Sequence, residues 1–283
     1  MFCHGLAVAC FFDCMHQQHG LAIVLSNLDR PLSSLIKFFE GIALYVFFVG
    51  RFFAQLIRRP FEWQETGRQM YEIGAKSILI VGVAGLAIGM VLSMQTSSTL
   101  ARFGGQGLLP SMIAVAVLRE IGPIITALVV SGRVGAGIGA ELGAMRVTEQ
   151  IDAMEVAALD PFRYLVVTRV LACVLMLPIL TVYANALALL GGFLAMQFEL
   201  NMSLKLYFDS ALRFLNFHTV LPALGKTAVF GFIIGSMACY LGYYTSGGTT
   251  GVGKSTMIAV VLATLLIIIA DVVLVKFTIM LFG

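Results

Sequence analysis

The chain has 283 residues, of which 59% are hydrophobic and 12% are charged, and its formal net charge is +3. A typical soluble domain is about 45–50% apolar and about 25% charged, so water is not the main solvent of this protein. The small net charge and the scattered Lys and Arg residues exclude nucleic acid as a partner. Long apolar runs recur from about residue 71 to the end of the chain, which favours a single all-α membrane domain.

Residues 1–30 differ from the rest of the chain. Their apolar stretch looks like a secretion signal, but it has no Lys or Arg at its start, and Asp13, His16 and His19 interrupt it. We therefore expect an unstructured leader or an over-extended start. The His and Cys residues here lack regular ligand spacing, and we expect no metal or cofactor.

Residues 31–60 contain an apolar segment that charged residues interrupt. Lys37, Glu40 and Arg51 lie within it, and Arg58, Arg59 and Pro60 close it. The pattern is typical of an amphipathic helix that lies in the membrane interface with its Phe side chains in the acyl region. A sixth membrane span in this segment is the alternative.

Five later stretches reach the length of about 20 apolar residues that a bilayer span needs. We expect spans at about 73–96, 108–130, 165–198, 221–244 and 257–282. The fold class is therefore an all-α membrane protein with five transmembrane helices, preceded by an N-terminal interfacial (elbow) helix and containing a short cytoplasmic helix.

Basic residues set the expected orientation, because short cytoplasmic loops collect Lys and Arg. They are concentrated before the first span and between the second and third spans, at Arg51, Arg58, Arg59, Arg68, Lys76, Arg133, Arg146, Arg163 and Arg169. Both regions should be cytoplasmic. The loop after the first span has only Arg102, and the loop at 199–218 mixes both signs of charge, so these two should face the other side.

Three charged residues lie deep within the predicted spans. Arg119 and Glu120 fall about halfway along the second span, and Asp271 lies within the last one. Ionisable groups at such depth are candidates for function, because their burial costs several kcal/mol unless partners or water compensate. The alternative is structural, with an Arg119–Asp271 or a Glu120–Lys276 ion pair. Gly122-Pro123 should kink the helix beside the two residues.

Glycines four residues apart follow the second predicted span, at Gly135, Gly139 and Gly143. This spacing lets two helices approach closely in lipid, either within one subunit or between subunits. The segment continues into a predicted cytoplasmic helix that Thr148 caps and that Asp160-Pro161 ends. Its acidic residues and its apolar residues lie on different sides, as expected of a helix that docks into a partner, although an ordinary surface helix has the same pattern.

Residues 248–255 satisfy the nucleotide P-loop pattern G-x-x-x-x-G-K-[ST]. A P-loop requires a buried strand before it and a helix after it on a rigid sheet, whereas this segment joins two predicted spans. We expect a tight cytoplasmic turn, with Ser255 or Thr256 as the cap of the last span and Lys254 at the headgroup level.

Several of these strings resemble the MlaE/YrbE permeases, the membrane subunits of ABC systems that carry phospholipids or other lipids between bacterial membranes. The matching residues cover about 71–283. They are Gly89-Met-Val-Leu92 with Gln95, Leu118-Arg-Glu-Ile-Gly-Pro123, Ser131-Gly-Arg133, Ala140, Glu141, Met145, Thr148, Glu149, Asp152, Glu155, Asp160-Pro161, Gly251-Val-Gly253 and Asp271. Residues 1–30 lie outside the resemblance. The expected permease transmembrane domain is 61–283, after the interfacial helix at 31–60.

The resemblance implies a homodimer in the bacterial inner membrane, without a catalytic site or cofactor of its own. Its implied partners are a separate cytoplasmic ABC ATPase, a periplasmic MCE-domain protein, a small STAS-like cytoplasmic subunit and phospholipid. Lipid would lie between two copies near Gln95, Arg119, Glu120 and Asp271. A coupling helix at about 141–159 would contact the ATPase through Glu141, Met145, Arg146, Glu149, Gln150, Asp152 and Glu155.

Three hypotheses of different classes follow. The first is a lipid permease that a partner ATPase drives. The second is an ion-coupled secondary transporter that uses Glu120 and Asp271 as proton sites. The third is a membrane ATPase that uses residues 248–255.

Overall fold

The described chain is helical because a bilayer leaves backbone N–H and C=O groups no partners outside their own segment. The computed structural model describes residues 30–57, 62–102, 106–213 and 217–282. The described helices are α1 (Arg30–Leu56), α2 (Trp63–Ala101), α3 (Leu109–Val147), α4 (Gln150–Val156), α5 (Phe162–Val167 continued by Thr168–Leu200), α6 (Leu204–Leu212), α7 (Phe217–Tyr243) and α8 (Gly248–Phe282). A 3₁₀ turn, Gln106–Leu108, precedes α3. The predicted leader and its His and Cys residues lie outside the described residues.

The prediction of an all-α membrane protein is confirmed, and the count of long apolar helices is one higher than predicted. Six helices of the described chain are long and apolar enough to cross a membrane. Five correspond to the predicted spans, and the sixth is Phe39–Leu56 within α1. The segment predicted to lie in the interface therefore also satisfies the length and hydropathy of a span.

The described residues of 1–53 and those of 54–283 belong to two separate units. The described part of the first unit consists of most of α1. This helix exposes several large apolar side chains, including Phe39, Val46 and Phe47. Such a surface suits contact with acyl chains or with another apolar helix.

Small residues let α2 and α5 cross with their backbones in contact. A Cβ atom on Gly85 would lie 2.6 Å from the carbonyl oxygen of Ala184, and one on Gly89 would overlap the carbonyl oxygen of Ala188. Gly191 meets the backbone of Leu86 in the same way. Larger side chains at these positions would force the helices apart, since close approach in lipid depends on small residues.

Helix α7 forms the centre of the other half of the bundle, where it contacts α5, α3 and α8. A Cβ on Gly231 would lie 2.5 Å from the Cys173 carbonyl oxygen of α5. On another side of α7, Gly242 lies against Gly139 of α3. Helix α8 buries a narrow stripe at four-residue spacing, Ala259, Ala263, Ile267 and Asp271, and exposes most of its other large apolar side chains.

The short helix α6 lies in the loop predicted at 199–218, where the sequence pattern did not indicate a helix. Its Tyr207 and Ala211 are buried in an apolar cluster with the start of α3 and the end of α5. Leu204, Leu206 and Leu212 of the same helix are exposed. The connection is therefore a packed part of the bundle.

Candidate functional site

Helix α3 changes its hydrogen-bonding pattern where its two deep charges lie. Residues Val117–Ile121 form a π turn that contains Arg119 and Glu120, and α-helix resumes at Gly122. Glu120 is 11 residues from the first residue of α3, which places it roughly 17 Å along the helix and near the middle of a core about 30 Å thick. π turns are rare and occur often at functional sites. A π turn, followed by Pro123, occupies the position where a kink was predicted.

Lys226 of α7 joins the two deep carboxylates. Its Nζ atom lies 2.7 Å from a carboxylate oxygen of Glu120 and 3.2 Å from one of Asp271. The Lys226 side chain is 3% exposed, the Asp271 side chain 10% and the Glu120 side chain 33%. The cluster therefore connects α3, α7 and α8. Removing one partner of a buried ion pair is costly because it leaves a charge uncompensated.

The two ion pairs considered from the sequence, Arg119–Asp271 and Glu120–Lys276, do not form. Helix rotation explains the difference, because both carboxylates face α7, whereas Lys276 lies on an exposed face of α8. Sequence reasoning missed Lys226. The signal in the sequence was a single Lys within the fourth predicted span. Its partners lie on two other helices, so the sequence of its own span could not identify them.

The other two residues proposed for a lipid pathway lie outside this cluster. Arg119 is half-buried, and its side chain has no hydrogen bond or ion pair within the described part of the chain. Gln95 is exposed on α2, and its backbone carbonyl accepts the hydroxyls of Ser98 and Thr99. Arg119 thus has guanidinium donors available for an anion, and Gln95 faces outward one to two turns from the end of its helix.

The predicted glycine stripe faces other helices of the same chain. Gly139 lies near Thr256 of α8, and Gly143 lies near Thr245 and Val252. Gly135 lies within 3.7 Å of the Ile234 side chain of α7, measured from an ideal Cβ. This arrangement is packing within one subunit. A second π turn, Ser131–Gly135, begins this stretch, and its Arg133 donates to the Ser77 hydroxyl of α2 at 2.7 Å.

The predicted N-cap at Thr148 is wrong. Helix α3 continues to Val147, and Thr148 ends it while its hydroxyl donates to the Ala144 carbonyl. Glu149 has a φ of 57°, in the left-handed region, and the chain turns there into α4. The helix also ends earlier than predicted, at Val156 rather than at Asp160-Pro161.

Two ion pairs fix the end of α3. Arg146 pairs with Asp152 across the turn into α4. Glu141 accepts a hydrogen bond of 2.7 Å from Arg169 of α5, whose side chain is buried. These contacts connect α4 to α3, and α3 to α5. Seven residues were expected to form the coupling helix. Gln150, Asp152 and Glu155 lie in α4, and Glu149 immediately precedes it. Glu141, Met145 and Arg146 belong to α3, and Arg146 pairs with α4.

Helix α4 presents an acidic surface. Ile151 is buried and Met154 is half-buried, whereas Glu149, Asp152 and Glu155 are exposed. Gln150 is exposed and Met145 is half-buried. Val156 and Leu159 add exposed apolar side chains at the end of the same segment. Exposed apolar residues beside carboxylates suit a protein partner with a basic, partly apolar groove.

The P-loop pattern lies within a helix. Gly248 begins α8, and residues 248–255 form its first two turns. The predicted turn and cap are therefore wrong, since Ser255 and Thr256 lie inside the helix and the Thr256 hydroxyl donates to the Val252 carbonyl. Helical backbone N–H groups beyond the first turn are already bonded and are not available to phosphates. This geometry disfavours the membrane-ATPase hypothesis.

An apolar groove runs along the outer side of α2 and α5. Its volume is about 510 Å³. The lining residues are apolar except for Tyr183 and comprise Leu79, Gly82, Val83, Leu86, Ala87, Met90, Val91, Met94, Tyr183 and Leu187. The groove and the exposed face of α8 are surfaces that acyl chains or apolar helices can cover.

Long apolar helices, a buried ionic cluster at mid-depth and exposed apolar surfaces define a multi-pass membrane protein. Residues 66–277 match the sequence profile of the family described as Permease MlaE. A probable ABC transporter permease of Rickettsia typhi is 35% identical over 83% of this chain and 91% of its own. A probable ABC transporter permease of Synechocystis is also 35% identical, over 84% of this chain and 90% of its own.

A chloroplast relative of Arabidopsis thaliana, TRIGALACTOSYLDIACYLGLYCEROL 1, is 35% identical over 81% of this chain and 65% of its own. The chain therefore belongs to the MlaE permease family and is a membrane permease subunit of an ABC transporter. This membership confirms the resemblance found in the sequence. It does not favour an ion-coupled secondary transporter.

Proposed function

We propose that this permease moves phospholipids or related lipids between the inner and outer membranes of a bacterium, driven by a separate cytoplasmic ATPase. Family membership supports an ABC-type mechanism. The name of the Arabidopsis relative refers to a galactolipid, which agrees with a lipid substrate. The chain itself supplies the route through the bilayer and performs no covalent chemistry.

The observation that carries the lipid proposal is the state of Arg119. The residue is half-buried near mid-depth, and the described residues give its side chain no anionic partner, while Glu120 and Asp271 both pair with Lys226. A guanidinium group presents five donors that match the oxygens of a phosphate. A phospholipid headgroup would supply the missing anion while its acyl chains remain against apolar helix faces. Glu120 and Asp271 would keep Lys226 from competing for that phosphate.

The segment around α4 is the proposed docking site for the ATPase. Its exposed acidic residues can face a basic groove, and Ile151 anchors the helix in the permease. Movement of α4 would reach α3 through the Arg146–Asp152 pair and α5 through the Glu141–Arg169 pair. Contacts to Met145, Glu149, Gln150 and Glu155 would complete the surface. ATP-driven motion could thus reach the helix that contains Arg119.

Two copies of the permease would enclose the lipid. Helices α2 and α8 leave large apolar side chains exposed, such as Leu79, Val83, Val272 and Val273, and these faces would line a cavity between copies together with α3. A periplasmic MCE-domain protein would receive or deliver the lipid, and a small STAS-like subunit would bind on the cytoplasmic side. The assembly would lie in the inner membrane.

Transfer of a fluorescent phosphatidylethanolamine from vesicles that contain the complete transporter tests this proposal. Arg119→Gln should lower ATP-dependent transfer by roughly 10- to 100-fold, because about 1.5–3 kcal/mol of charge-assisted hydrogen bonding is lost. Lys276→Gln is the matched control, since this exposed Lys of α8 lies outside the ion cluster, and it should transfer lipid within about twofold of the unaltered transporter. Transfer that needs a proton gradient and ignores ATP would instead support the secondary-transporter hypothesis.

A further inference from the structure

Asn185 of α5 lies directly against the π turn that contains Arg119 and Glu120. The residue is 8% exposed, and its Oδ1 atom has no hydrogen-bond partner. A Cβ atom on Gly122 would overlap this oxygen and would lie 2.8 Å from the carbonyl oxygen of Val117. The amide of Asn185 and the first carbonyl of the π turn therefore converge beside Gly122, in space that only a glycine leaves open.

Two features of this contact indicate a hydrogen bond between Asn185 and the π turn. A buried amide without a partner is uncommon and needs an explanation. The Val117 carbonyl accepts the Gly122 N–H in the π pattern, and its second lone pair is free to accept another donor. Rotation of the carboxamide by 180° exchanges oxygen and nitrogen with almost no change of shape, and it brings the donor Nδ2 beside Gly122, where the Val117 carbonyl also lies.

We infer that Asn185 is a positioning residue that holds the π turn of α3 by donating from its amide to the Val117 carbonyl, and so directs Arg119 and Glu120. This inference rests on the proposed function for its consequence in transport. Pro123 favours the same π pattern, because it has no N–H and an α-helix here would leave the Arg119 carbonyl without a donor.

The packing beside the turn is close and leaves a cavity of about 10 Å³. A narrow crevice lies between α2, α3 and α5, and its lining includes Val117, Ile121, Gly122 and Ala184. If the π turn changed to regular α-helix, the two parts of α3 would rotate against each other by about 100°, the angle that one residue spans in a helix. Glu120 would then leave Lys226, and Arg119 would face a different helix. The amide of Asn185 opposes this rotation.

Lipid transfer by the complete transporter, with fluorescent phosphatidylethanolamine as the probe, separates positioning from simple packing. Asn185→Leu removes the donor. It should lower transfer by roughly two- to tenfold, because one hydrogen bond contributes about 0.5–1.5 kcal/mol, and it should lower the melting temperature by no more than about 4 °C. Thr181→Val is the control, because Thr181 is buried on the same helix and bonds only to the Leu177 carbonyl.

A double-mutant cycle adds a readout that a structural role would not change. If Asn185 acts through the π turn, Asn185→Leu should have little further effect on transfer once Glu120→Gln is present. Fully additive losses, or unchanged transfer by Asn185→Leu, would overturn the inference.

A second measurement does not depend on lipid transfer. In a chain whose five native cysteines are replaced by serine, Arg119→Cys should react with a water-soluble maleimide at a rate that Asn185→Leu changes several-fold. An unchanged rate would contradict the placement of Asn185. Absence of transfer by the unaltered transporter would contradict the proposed lipid function alone, since the labelling rates would still test the position of the turn.

Discussion

Replacement of Lys226 by Met tests whether this residue neutralises the two carboxylates that lie within the bundle. The substitution keeps most of the side-chain volume and removes the charge that faces Glu120 at 2.7 Å and Asp271 at 3.2 Å. Breaking a buried ion pair from one side costs about 3–5 kcal/mol. Asp271 should account for most of this loss, because its side chain is more deeply buried than that of Glu120. We expect a loss of about 3 kcal/mol in the free energy of unfolding.

The free energy of unfolding can be measured by titrating the protein from mild detergent micelles into a denaturing detergent. The triple variant Lys226→Met, Glu120→Gln and Asp271→Asn should recover to within about 1–2 kcal/mol of the unaltered protein, since no uncompensated charge remains. Lys254→Met is the matched control, because Lys254 is exposed on the first turns of α8, and it should change stability by less than about 0.5 kcal/mol. An equally small change for Lys226→Met would refute the reasoning.

Three further predictions concern packing, a buried hydroxyl and the P-loop pattern. Gly89→Ala should lower the free energy of unfolding by about 1–3 kcal/mol, because the added methyl overlaps the Ala188 carbonyl. Gly67→Ala is the control, since Gly67 lies in open space on the same helix, and it should raise the free energy of unfolding by about 0.5–1 kcal/mol. Unfolding titrations compare the two variants. Burial raises the pKa of Tyr207 to about 12 from about 10, so folding favours the neutral form of this side chain. The resulting contribution to the free energy of unfolding should decrease as the pH rises above about 10. The Tyr207→Phe variant should lack that part of the pH dependence in unfolding titrations at pH 9–11, and an identical pH dependence would rule out ionisation of Tyr207 as its cause. Lys254→Ala should leave ATP-dependent lipid transfer unchanged, and calorimetry of the purified chain should detect no ATP binding, since residues 248–255 are helical.

The sequence alone was sufficient for the features that depend on local composition. Apolar runs of about 20 residues identify helices in a membrane whatever their neighbours are, because each segment must satisfy its own backbone. The five predicted spans were correct for this reason. The depth of Arg119 and Glu120 followed in the same way, since position along a helix is a count of residues.

Boundaries and local turns were less accurate where neighbouring segments compete. A polar residue such as Thr148 can begin a helix or end one, and only the continuation of α3 through the glycine stripe decides which. The glycines of segment 248–255 predict a turn, yet the segment is helical, and Val252 within it lies against Gly143. Short helices such as α6 depend on burial of one or two side chains and have little signal of their own.

The sequence by itself determined that this chain is a helical membrane protein with charges buried near mid-depth, because hydropathy and residue counts are properties of single segments. Only the tertiary structure decided the partners of those charges. Lys226, Glu120 and Asp271 lie on three helices far apart in the chain, and their contact depends on how each helix is rotated about its axis. The approach of Asn185 to Gly122 has the same origin, since a helix presents a given face only after its neighbours are packed.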